Sequence, residues 1–189
     1  MRKLLTSLLV LALTGGVAVA DTYIGLFADG QASHCYAPTA AYTTTRVHVI
    51  AWLDASWVGQ ISACEFYVEN YPLDGPGGIV TPVWSTPLVI GYVNYGIALA
   101  FPNPLNGPLA YLGRMDFYCI DPAWLGDNYA LAVRPSRQSD TLALVNTLGE
   151  TIPVAGGQFT FNCTNPSACD CLESVATADM SISNVKALY

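Results

Sequence analysis

A chain of 189 residues has room for one domain of ordinary size. With 52% of its residues hydrophobic and 11% charged, it is too apolar and too poor in charge for a protein that stays disordered. Seven Lys+Arg against fourteen Asp+Glu give a net charge of −7, which excludes a nucleic-acid or anionic-membrane partner: neutralising phosphates takes a basic face, and so few scattered cations cannot build one.

Residues 1–20 have the three-part layout of an export signal. Met1, Arg2 and Lys3 form a cationic start, residues 4–13 are apolar apart from Thr6 and Ser7, and Ala18, Val19 and Ala20 are the small residues a signal peptidase accepts. Cleavage is expected between Ala20 and Asp21. The apolar run is far short of the ~20 residues that span a bilayer, and Gly15 and Gly16 interrupt it, so no membrane span is expected after signal cleavage. The expected location is secreted, extracellular or on the cell surface, with the periplasm as an alternative.

Downstream the chain reads as strand after strand. Residues 45–54 are dense in β-branched and aromatic side chains. In 61–69 the pattern alternates, with Cys64, Phe66 and Val68 on one face and Glu65, Tyr67 and Glu69 on the other, the period of a sheet with one wet face. Further strands are predicted over 23–27, 79–84, 88–93, 97–101, 112–119, 129–133, 141–145 and 158–163. Clusters of Gly, Pro, Asn and Asp at 74–78, 102–108, 121–122, 126–128 and 156–157 separate them. Short strands at regular spacing, with no helix-length periodic segment, predict an all-β, single β-sandwich of about 8–10 strands over residues 21–163. Residues 164–189 are predicted to be a Cys-tethered flexible tail.

All six cysteines, Cys35, Cys64, Cys119, Cys163, Cys169 and Cys171, follow the signal. An even count in an exported chain reads as a disulfide framework with fifteen possible connectivities. Zinc held by His34, Cys163, Cys169 and Cys171 is the rival reading, but the paired knuckles of structural zinc sites are missing. No cofactor or metal is expected.

Signs of catalysis are sparse. Neither His34 nor His48 accompanies a Gly-x-Ser-x-Gly elbow, and there is no calcium loop or phosphate-binding glycine loop. The acids Glu65, Glu69, Asp116 and Asp121 read as a solvated face; a secreted hydrolase would need the fold to gather two of them. The chain is therefore expected to be no enzyme but an extracellular surface, adhesion or assembly module with an extracellular protein or glycan as partner. A carbohydrate-binding module is the alternative, with Trp52, Trp57, Trp84 and Trp124 as stacking platforms set against a core role for the same rings. The last residues, with Val185, Lys186, Leu188 and Tyr189, form an apolar patch with one cation. That patch is either a peptide that docks on its own sheet or a sorting tag, and the tag is the favoured reading.

Residues 61–72, 87–90, 96–101 and 112–117 resemble successive strands of cohesin-like domains, where a strand of the form xxEFxVxxxP precedes an apolar hairpin and an LGxxxF strand. More broadly, the opening Ile24-Gly25-Leu26-Phe27-Ala28-Asp29, the Cys169-Asp170-Cys171 pair and the closing Val185 to Tyr189 resemble a group of secreted bacterial β-sandwich proteins of unassigned function. In that group a Trp and a Gly often precede the valine of the tail, where this chain has Ile182, Ser183 and Asn184. The cohesin-like topology implies a cohesin-like or immunoglobulin-like sandwich. It also implies that the strands of Cys64 and Cys119 are antiparallel neighbours, hence a Cys64–Cys119 disulfide, with Cys35, Cys163, Cys169 and Cys171 pairing among themselves.

Overall fold

The fold is taken from a computed structural model, which describes residues 22–171. Two sheets stack face to face. The first has the order β12-β1-β3-β8-β5, made of Ala155–Gly156, Tyr23–Phe27, Thr43–Trp52, Leu109–Cys119 and Gly78–Trp84. The second has the order β11-β10-β4-β9-β13-β2, made of Thr151–Pro153, Ala143–Asn146, Ile61–Glu69, Tyr129–Arg134, Gln158–Phe161 and Tyr36–Ala37. A hairpin, β6 (Leu88–Tyr92) and β7 (Gly96–Leu105), joins the second sheet through pairing of β7 with β4. Among the described residues the only helices are two single 3₁₀ turns, Pro122–Trp124 and Pro166–Ala168.

Each of the ten predicted strands is present. The three additional ones, β2, β11 and β12, are two or three residues long, too short to leave an alternation that could be read. β7 also runs further than expected, through Pro102 and Pro104. Proline has no N–H for a ladder, so β7 arches away from β4 there: the register jumps from Ala63↔Ala100 to Ile61↔Leu105. β5 tolerates Pro82 because it lies at the edge of its sheet, paired with β8 alone.

The core sits between the sheets. Leu26, Val47, Val49, Met115 and Phe117 of the first sheet face Cys64, Phe66, Leu99, Leu131, Leu144, Phe159 and Phe161 of the second, all buried. Rings cross the gap. Phe117 meets Phe161 edge-on with centroids 4.8 Å apart, and Phe66 meets Trp84 edge-on at 6.0 Å. β1 is buried on both faces because Gly25 has no side chain: the rings of Tyr23 and Phe27 lie over it, so close that a Cβ there would sit 2.4 Å from a Phe27 ring atom.

Two disulfides staple the domain. Cys35 pairs with Cys171 across 136 residues, and Cys163 pairs with Cys169 across 6. The implied Cys64–Cys119 bond is corrected by the topology. β4 and β8 lie in opposite sheets rather than side by side, and both thiols are free and buried. They also sit far apart lengthwise. Phe66, two residues from Cys64, faces Trp84, which pairs with Gly113, and from there Cys119 lies six residues on along β8, roughly 20 Å.

Candidate functional site

The outward face of the second sheet carries an apolar groove. Residues directly opposite on neighbouring strands share a face, so the register defines two rows crossing five strands from β6 to β11. One row is Leu88, Ala100, Ala63, Val145 and Thr151; the next is Ile90, Ala98, Glu65, Ala143 and Pro153. The inner positions are alanines except for Val145 in the first row and Glu65 at the centre of the second, and the ends are larger side chains. The outcome is a groove of about 520 Å³ with a floor of Ala63, Ala98, Ala100 and Ala143, one wall of Leu88 and Ile90, and the other of Val145 and Thr151. At ~4.8 Å per strand it spans roughly 19 Å. Glu65 is the single charged residue lining it, and its Oε1 accepts a hydrogen bond from Ser139 Oγ.

The groove opens onto an unprotected sheet edge. β6 pairs with β7 alone among the described residues, and none of its five residues is charged or proline. Leu88 is 52% exposed, Ile90 76% and Tyr92 76%. The other sheet edges are blunted in the usual ways: β2 and β12 have two residues each, β11 has three with Pro153, and β5 carries Pro82. Gly91 holds the β6–β7 hairpin closed. Its φ is +85, in the left-handed region that favours glycine, and a Cβ would lie 2.1 Å from the Gly96 carbonyl oxygen.

The tryptophans are not presented as platforms. All four are half-buried and pack on the core: Trp52 stacks on Tyr23 at 6.1 Å, Trp84 meets Phe66, and Trp124 lies against Gly77 and Gly78. The Trp57 indole N–H is buried and lacks a hydrogen-bond partner among the described residues. The acids are likewise engaged one by one. Glu69 pairs with Arg134 at 2.9 Å, Asp116 with Arg114 at 3.1 Å, and Asp121 caps the first 3₁₀ turn. Tyr67, expected on the wet face of β4, is covered by the Arg137 guanidinium 4.7 Å above its ring. Among the described residues no group of three His, Cys, Asp or Glu is placed to hold a metal, and no helix is long and apolar enough to cross a membrane. All three cysteines of the rival zinc set, Cys163, Cys169 and Cys171, are instead in disulfides, which leaves His34 without thiolate co-ligands. Residues 1–21 and 172–189, which hold the expected export signal and Val185, Lys186, Leu188 and Tyr189, lie outside the described residues.

Three titrating groups record their surroundings. Partial burial pulls the Asp29 carboxyl up, but hydrogen bonds from the Ser33 hydroxyl and the amides of Ser33 and Gln31 outweigh it and bring it down to about 2. His48 is pushed below its ordinary value, chiefly by desolvation, and its Nδ1 is buried without a partner. Burial raises the Cys64 thiol far out of the reactive range, which makes it an inert core residue.

No protein-family profile and no curated protein matches the sequence. Solved structures that share its shape include a complex of CaDoc0917 with CaCohA2, at 14% identity and a TM-score of 0.45, covering 74% of this chain and 99% of that one. A cohesin module from a Clostridium perfringens family 33 glycoside hydrolase aligns at 8% identity and 0.45, covering 76% and 98%. A non-cellulosomal cohesin from Archaeoglobus fulgidus aligns at 12% and 0.41, covering 75% and 91%. The likeness to cohesin modules is weak and is one of shape.

Proposed function

We propose that the chain is an exported, non-catalytic β-sandwich that holds an extracellular protein partner on the groove and open edge of β6, β7, β4 and β10. The observation that carries this reading is the concentration of exposed Leu88, Ile90 and Tyr92 on one charge-free edge, beside a groove with a single carboxylate. On an acidic chain of net charge −7, an exposed apolar patch continuous with an unpaired strand marks a contact surface. An extended polypeptide can use both parts at once, pairing its backbone with the free edge and setting side chains into the groove. The two disulfides suit an oxidising compartment.

The test is retention of the purified exported chain on the surface of the cells that make it, alongside a glycan array. Retention is expected to be lost after protease treatment of the cells and with Ile90→Asp, a change on the exposed face that leaves the core intact. A glycan signal that survives Ile90→Asp and falls with Trp57→Ala overturns the proposal in favour of carbohydrate binding.

A further inference from the structure

Resting on that reading of the contact face, we infer that the groove, until a partner displaces it, is held by a segment of the same chain: residues 182–189, which lay Val185, Leu188 and Tyr189 over the alanine floor and bring Lys186 to Glu65.

Reach is the first requirement, and the Cys35–Cys171 disulfide sets it. Cys171 is fixed to Cys35, and its carbonyl accepts a hydrogen bond from the Gln158 amide. Gln158 is five residues past Pro153, which forms the end of the second groove row. At ~3.3 Å per residue the tail therefore leaves the domain within roughly 17 Å of the groove rim. Lys186 is fifteen residues beyond Cys171, a contour of up to roughly 50 Å, so the distance is covered with slack. Covalent attachment also presents the segment at an effective concentration of order mM, so a contact too weak to form between separate molecules suffices.

Complementarity is the second. The groove is apolar apart from Glu65, and the segment Val185-Lys186-Ala187-Leu188-Tyr189 is apolar apart from Lys186. A carboxylate part-way out of water in an apolar trough gains from one cation and loses from any further acid; 182–189 has no acidic side chain, and the α-carboxylate of Tyr189 lies three residues past Lys186. The floor is shallow because its residues are alanines, which leaves depth for an incoming Leu or Tyr. Within the tail beyond Cys171 the match is confined to this end. Residues 172–181 hold Glu173 and Asp179 and no cation.

The chain supplies its own reporter, because Lys186 is its only lysine besides Lys3 in the export signal. Zero-length carbodiimide coupling of the full exported chain, at low concentration, joins Lys186 only to a carboxylate it touches. Peptide mapping is expected to show a Lys186–Glu65 link within the monomer. Ala98→Arg, which fills the groove from the solvent side, is expected to lower its yield roughly tenfold with the melting temperature little changed; Ala100→Arg is the second variant should Ala98→Arg not fold. Coupling of Lys186 to other acids, no coupling within the monomer, or an unaltered yield in the filled-groove variant overturns the inference. A link found only in a covalent dimer overturns it in favour of a second copy as the occupant. If cell-surface retention still depends on Ile90 while the link is missing, the occupant is wrong and the contact face stands; if both fail, the face itself is wrong.

Discussion

The two disulfides close loops of very different size, and that difference has a measurable consequence. In the chain-entropy account, a cross-link stabilises by restricting the unfolded chain, with a term that grows with the logarithm of the loop. For the 136-residue separation of Cys35 and Cys171 the stabilisation is about 5 kcal/mol, and for the 6-residue separation of Cys163 and Cys169 about 2 kcal/mol. Replacing both members of a pair with alanine avoids leaving a lone reactive thiol. Cys35 is buried, so its loss also opens a small void, which widens the gap between the two variants. At about 2–4 °C per kcal/mol for a chain of this size, Cys35→Ala/Cys171→Ala should lower the melting temperature by roughly 10–20 °C, and Cys163→Ala/Cys169→Ala by roughly 4–8 °C. Calorimetry of the three oxidised proteins reads this directly, with non-reducing peptide maps to confirm that Cys64 and Cys119 have not been recruited into new bonds. Equal losses, or a larger loss for the short loop, would refute the reasoning and move the stabilising effect into the native state.

Three further outcomes are expected. Phe117→Ala removes a fully buried ring that bridges the sheets to Phe161 and should cost about 3–5 kcal/mol in denaturant unfolding; a loss below about 1 kcal/mol would mean that the gap collapses freely. His48 has a folded pKa below its unfolded one, so the unfolded state takes up the proton first and stability falls as pH drops through about 6.5; His48→Gln should flatten that slope, and an unchanged slope would assign it elsewhere. Asp29 is the opposite case, an acid with a depressed folded pKa: its stabilisation is present above about 4 and is lost as pH falls toward about 2, so Asp29→Asn should lower stability at neutral pH and shrink the loss in that acid window. An acid limb that keeps its full depth in the variant would count against the Asp29 loop as its source.

Strand 61–69 was legible because one-sided burial imposes a period-two pattern that survives in a local window, while 23–27, buried on both faces, was legible as a short run of apolar and aromatic residues; both match their predicted bounds. Which sheet a strand joins leaves no such trace. Cys64 and Cys119 are each in correctly anticipated strands, yet the crossover that sends β4 to one sheet and β8 to the other depends on contacts between residues far apart in sequence. The groove was missed for a different reason. Its floor comes from alanines on three strands, and alanine reads as neutral in a strand search. A usable hint was present in 97–101, where Ala98 and Ala100 alternate with the larger Ile97, Leu99 and Phe101. Similarly, Leu88-Val89-Ile90 has the composition of a buried strand and is an exposed edge, because nothing local to those residues says whether another strand lies beyond them.

The Cys35–Cys171 bond also gives the domain a mechanical short circuit. Tension applied beyond Cys171 passes through sulfur to Cys35 and bypasses everything folded between them. Stretched between Thr22 and Cys171, the oxidised chain can lengthen only by unravelling the strand at its start, roughly 45 Å of backbone, while the remainder of both sheets bears no load. A protein tethered by one end outside the cell would thereby keep its apolar face in shape under drag.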